Sequence, residues 1–61
     1  MPMVRIELFA GRTREQKAKA AKEVTEALAR TINSRPEDTD IIFVDIAKAD
    51  WAHNAKLSDE G

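Results

Sequence analysis

Two residues near the start of the chain have types and positions suited to moving a proton on an acid. Pro2 follows Met1 and heads the run MVRIELF, and Arg12 follows Gly11. With Met1 removed, Pro2 presents a secondary amine. A free α-amino group titrates at about 7.7–8.0. Burial and a nearby cation, for which Arg12 is the candidate, both lower that value because both disfavour the ammonium. An amine tuned toward neutrality serves as a general base. With Met1 retained, the same nitrogen is a tertiary amide without basicity. The plain alternative is that a small second residue only permits methionine removal.

Arg12 has a solvated surface arginine as its plain reading, but its place is unusual. It precedes a helical pattern, where the macrodipole is positive and disfavours a cation, and Arg14 repeats the oddity. The same helix end favours an anion, and an arginine fork takes a carboxylate through two parallel hydrogen bonds. Trp51 is either a packing residue or the wall of a pocket for a planar substrate. His53 is a polar loop residue or a proton donor.

The elements that must hold these residues follow from periodicity. Residues 3–9 alternate, with Val4, Ile6 and Leu8 on one side and Arg5 and Glu7 on the other, as in a half-buried strand. Gly11 breaks the run. Thr13-Arg14-Glu15-Gln16 fits a capping box. From there to about Asn33 the period is helical, with Ala20, Ala21, Val24, Ala27, Leu28, Thr31 and Ile32 as one stripe. Lys19, Lys22, Glu23, Glu26 and Arg30 form a solvated face. Pro36 starts a short helical turn with acids in its first positions. In residues 40–46, DIIFVDI, Ile42, Val44 and Ile46 share one side and Ile41 and Phe43 the other. A strand apolar on both sides is covered on both sides. Strand, helix, strand predicts one βαβ unit with a right-handed crossover. Two strands and one helix do not enclose Ile41 and Phe43, so one sheet face is expected to meet another subunit. Residues 47–61, with Trp51 and Leu57 as their large apolar groups, read as a loop or short hairpin lying on a neighbouring chain.

Size and composition narrow the function. A chain of 61 residues is one domain, residues 1–61, and buries only about 60% of its unfolded surface. Small domains of this kind add disulfides, a metal or partner chains. There is no cysteine and one histidine, so no cofactor or metal is expected and oligomerisation is the source of stability. Lys and Arg number 10 against 11 Asp and Glu, which implies no basic face for nucleic acid. No apolar run suits a membrane span and no signal-peptide pattern is present. A cytoplasmic location is expected.

Pro2 before a strand, the string GRTREQK, an alanine-rich helix and DIAKADW after the second strand resemble the 4-oxalocrotonate tautomerase family over nearly the whole chain. The resemblance implies an α/β protomer, a single β-α-β unit with two parallel strands and one long helix. It implies completion by oligomerisation into four-stranded sheets, two protomers to a sheet, and three such dimers in a homo-hexamer. It implies a cofactor-independent keto–enol isomerase of a small carboxylic acid, with Pro2 as base. Arg12 would bind the carboxylate and 2-oxo group, Trp51 would be the pocket aromatic, and Leu8 would line the pocket. One position departs. The family's second arginine, donated by a neighbouring subunit, falls on Asp40, which repels a dicarboxylate and does not polarise a carbonyl. Arg35, five positions earlier, is the candidate stand-in. The glycine-rich turn after the aromatic is replaced by Ala52-His53-Asn54-Ala55. Two further readings stand beside the tautomerase. One is a hydratase or dehalogenase relative, with protonated Pro2 as acid and Asp40 or His53 activating water. The other is a catalytically impaired oligomeric scaffold, or a subunit of a mixed assembly.

Overall fold

The computed structural model describes residues 2–60. Strand β1 (Met3–Phe9) leads through a turn to helix α1 (Arg14–Ile32), and a three-residue helical turn at Pro36–Asp38 leads to strand β2 (Asp40–Ile46). After a second such turn, Lys48–Asp50, the short strands β3 (Ala52–His53) and β4 (Lys56–Leu57) form an antiparallel hairpin. β1 and β2 pair in parallel from Met3 opposite Asp40 to Phe9 opposite Ile46. The β-α-β expectation holds, and both strands fall where their alternation put them.

The local causes are the ones that the sequence carries. At the turn after β1, Gly11 adopts φ +124°, a conformation that disfavours residues with a Cβ. The capping box is present: Gln16 N–H donates to the Thr13 hydroxyl at 3.1 Å, and Thr13 N–H donates to Gln16 Oε1 at 2.9 Å. Asn33 closes the helix in the left-handed conformation, and its N–H donates to the Leu28 carbonyl. The hairpin turn, lacking glycine, holds Asn54 and Ala55 at φ 52° and 65°, the two-residue arrangement that matches strand twist.

Register and alternation decide which face the helix covers. Val4, Ile6 and Leu8 stand opposite Ile41, Phe43 and Asp45. This is the face under α1, because Lys17 on the helix pairs with Asp45 at 2.8 Å. The expectation that Ile41 and Phe43 lack a cover is corrected here: the helix lies over that side. The open face carries Met3, Arg5, Glu7 and Phe9 on β1, with Ile42, Val44 and Ile46 on β2. Met3 is 59% exposed and Ile42 44%. The hairpin shields the far end of this face, where the Phe9 and Trp51 rings stand 4.6 Å apart at 54°.

None of the described residues is buried. The radius of gyration is 14.5 Å, against about 10.5 Å for a compact chain of this length. The protomer is thus a half-covered sheet. Phe43→Asp places a charge between sheet and helix and is expected to abolish cooperative unfolding in urea. Ala55→Gly relieves a left-handed alanine and is expected to stabilise by about 1 kcal/mol; an unchanged urea midpoint would show that the turn carries no strain.

Candidate active site

β1 acts as a ruler between the two residues expected to do the chemistry. Pro2 precedes its first residue, is half-buried, and its carbonyl accepts from Asp40 N–H at 3.0 Å. Arg12 lies beyond its last residue, on the far side of the Gly11 turn. Seven strand residues at about 3.3 Å each separate them by roughly 23 Å. The expectation that Arg12 stands near Pro2 fails within one protomer. The parallel ladder holds one residue at each end of a rigid element.

The remaining candidates divide between the same two ends. At the Arg12 end, a groove of about 220 Å³ is lined by Ile6, Leu8, Phe43 and Ala20, with Arg12, Gln16 and Lys17 among its polar walls. Leu8 and Arg12 therefore line the same groove. A second depression brings Trp51 and His53 together with Phe9 and Lys48, and the Lys48 ammonium sits 5.9 Å from the centre of the Phe9 ring. At the Pro2 end lie Asp40 and the turn that carries Arg35. The Arg35 guanidinium is engaged, its Nε donating to Asp38 Oδ2 at 2.8 Å and its Nη2 2.6 Å from the same oxygen. Asp40 is exposed and joins no ion pair among the described residues.

The Arg12 end sets a guanidinium beside an apolar floor of Ile6, Leu8 and Phe43. At the Pro2 end, the head of β1 is tied to the first residue of β2 by the bond from Asp40 N–H to the Pro2 carbonyl. Removal of Met1 lies outside the described residues. Lys17 and Gln16 were missed by sequence reasoning, although the signal was available. Lys17 falls on the same helical stripe as Ala20, Ala21 and Val24, so it had to face the sheet. Phe9 was missed as the partner of Trp51 because the contact joins distant parts of the chain.

The family model for the tautomerase enzyme matches residues 2–59, beginning at Pro2. The chain belongs to the tautomerase enzyme family. It is 45% identical over 51 residues to a probable tautomerase of Streptococcus pneumoniae serotype 4, covering 84% of this chain and 85% of that protein. It is 33% identical over 61 residues to a probable tautomerase of Streptococcus mutans serotype c, the full length of both. A solved structure from a study of the 4-oxalocrotonate tautomerase isozymes of Methylibium petroleiphilum superposes with a TM-score of 0.90, 30% identity, and coverage of 93% of this chain and 89% of that one. No helix of the described residues is long and apolar enough to cross a membrane.

The Arg35–Asp38 pair makes the contribution of Arg35 testable. Asp38→Asn frees the guanidinium and is expected to lower KM for a dicarboxylate enol two- to fivefold, roughly the worth of an exposed ion pair. An unchanged KM would show that Arg35 does not reach substrate.

Proposed function

We propose that the chain is a cofactor-independent tautomerase of a small 2-oxo or enol carboxylic acid. Pro2, freed by removal of Met1, is the general base, and Arg12 of a neighbouring copy binds the carboxylate. The observation that carries this reading is a proline anchored at the head of a strand, in a chain whose likeness to tautomerase enzymes starts at that residue. The separation of Pro2 from Arg12 makes the site a shared one, in which the Pro2 end of one protomer meets the Arg12 end of another. A homo-oligomer built from four-stranded dimers, as a hexamer, brings such ends together.

In the reaction, the Pro2 nitrogen takes the proton from the enol hydroxyl. The oxygen lone pair closes the C=O bond as the C=C pair moves to carbon. The Pro2 ammonium then returns its proton to that carbon. Atoms and charge balance with no co-reactant. General-base catalysis contributes about 10²–10⁴-fold, and stabilisation of the developing enolate by Arg12 adds a comparable or larger factor. Leu8 supplies apolar floor beside Arg12 and Trp51 supplies the aromatic wall. Arg35 contributes where it leaves Asp38, and His53 adds a polar group beside Trp51. A second reading is favoured by one contact. Asp40 N–H donates to the Pro2 carbonyl, and with Asp40 next to Pro2 on the paired strand its carboxylate is a candidate to activate water while a protonated Pro2 acts as acid, as in hydration or dehalogenation.

The test is intact mass of natively expressed protein, followed by turnover of phenylenolpyruvate, a monoacid enol. Loss of Met1 together with turnover supports the reading. Retained Met1 without turnover points to a non-catalytic assembly. Pro2→Ala and Arg12→Ala should each reduce kcat/KM by a hundredfold or more. The rising limb of kcat/KM against pH should lie below the ordinary α-amine range of about 7.7–8.0. A limb at or above that range would remove the base from Pro2.

Substrate choice gives a separate outcome. Asp40 stands where a second cation would face a diacid, and like charges about 4 Å apart at an effective dielectric near 20 cost at most roughly 4 kcal/mol. The enzyme should therefore prefer phenylenolpyruvate to 2-hydroxymuconate. Asp40→Arg should raise kcat/KM for the diacid more than for the monoacid. An unchanged ratio would mean that Asp40 lies away from the pocket, whatever the role of Pro2.

A further inference from the structure

The depression beside the hairpin carries charge that the fold does not use. Its volume is about 510 Å³, within the roughly 300–1,000 Å³ of small-molecule sites. Lys48, His53 and Lys56 all line it, and no carboxylate does. Among the described residues neither lysine joins an ion pair, the two pairs being Lys17–Asp45 and Arg35–Asp38. This gathering of cations occurs in a chain with 11 acids against 10 Lys and Arg. The hairpin register sharpens it. His53 stands directly opposite Lys56 on the paired strands, so a protonated His53 sets like charges across the ladder, which is destabilising. The nearby acids are occupied elsewhere. Glu60 Oε2 accepts from Leu57 N–H at 2.6 Å. Glu7 and Asp50 line a separate depression that shares only Trp51 with this one.

The walls between these cations are aromatic and held in place. The Phe9 and Trp51 rings are tilted by 54° at 4.6 Å, and the Lys48 ammonium lies 5.9 Å from the centre of the Phe9 ring. The base of the hairpin is tied to Trp51: Ser58 N–H and the Ser58 hydroxyl both donate to the Trp51 carbonyl at 2.8 Å. Ring walls take a planar ring, and cations beside them take an anion at its edge. We infer that this depression receives an aryl group bearing an acidic substituent, so that the substrate is an aryl enol acid with a second anion on its ring. The inference rests on the tautomerase reading, in which Trp51 walls the pocket.

Each group then has a partner. Arg12 takes the carboxylate next to the reacting carbons. Lys48 and Lys56 take the anion on the ring, and His53 offers a ring N–H donor whether neutral or protonated. Asp40, which turns away a second carboxylate close to the reacting carbons, does not line this depression. The protein therefore rejects a second anion at one place and receives it at another. Two simpler occupants use half of the site. An aliphatic acid would pair with the lysines and leave the Trp51 and Phe9 rings uncovered. An unsubstituted ring would cover Trp51 and leave the lysines without a counter-charge.

Two substrates that differ only on the ring test this, phenylenolpyruvate and its 4-carboxy derivative, assayed with the full chain. At low salt kcat/KM should favour the 4-carboxy enol about fivefold or more, from two exposed ion pairs, and the margin should shrink as salt screens them. Lys48→Gln and Lys56→Gln should each lower that ratio about two- to threefold, and Lys56→Glu should bring it to one or below. Binding is read separately by calorimetry with 4-carboxycinnamate and cinnamate, planar acids that do not tautomerise. Turnover of both enols at equal kcat/KM, or a ratio that Lys56→Glu leaves unchanged, overturns the inference and leaves the tautomerase reading standing. Turnover of neither enol removes the tautomerase reading, and the cinnamates then decide the site. Tighter binding of 4-carboxycinnamate that is lost in Lys56→Glu supports an aryl-anion site, and equal binding of the two overturns it.

Discussion

Two parallel strands can be joined only by a segment that carries the chain back to its starting end, and in this protein α1 makes the return. From that single requirement the rest of the protomer follows. The helix lies across one face of the sheet, over Ile6, Leu8 and Phe43, and the other face is left open. Both strands begin at the same end, so Pro2 is fixed to Asp40 by a backbone hydrogen bond of 3.0 Å. Both finish at the other end, where Arg12, Lys48 and Trp51 emerge. The backbone separation of Pro2 from Arg12 is thus about the length of a strand.

The same arrangement explains why one copy is an unfinished object. Alanine in the helix stripe allows close approach to the sheet, yet one helix over two strands shields neither side fully. Met3, Phe9 and Ile42 remain 59%, 38% and 44% exposed. At about 25 cal/mol per Å² of apolar surface, covering such residues is a sizeable reserve of stability that only further chains can release. The cost of ordering a 61-residue backbone is met only partly within the protomer.

Charge is distributed along the same axis. The Pro2 end holds Glu37, Asp38 and Asp40, with Arg35 paired to Asp38 and Arg30 in the last turn of α1. The opposite end holds Arg12, Arg14 and Lys48 together with Glu15 and Asp50, and Lys17 is paired with Asp45. In the proposed shared site, a substrate with one carboxylate would meet Arg12, and a second carboxylate would meet Asp40.

Much of this was legible in the sequence. Alternation in MVRIELF and DIIFVDI, the Thr13–Gln16 capping box and the turn at Pro36 are local signals, and each element formed where its own residues dictated. The tail was legible only as a loop or short hairpin, and neither its turn at Asn54 nor the left-handed Ala55 was. Pairwise facts were beyond reach. Which side of β2 the helix takes is seen only in the fold, where Lys17 and Asp45 pair across 28 positions of sequence. The contact of Trp51 with Phe9 and the capture of Arg35 by Asp38 depend on how separate segments meet. Pro2 and Arg12 look like neighbours in a sequence because ten positions seem few. An extended strand makes those positions a distance, and only the folded ladder shows that the two residues face opposite ends of it.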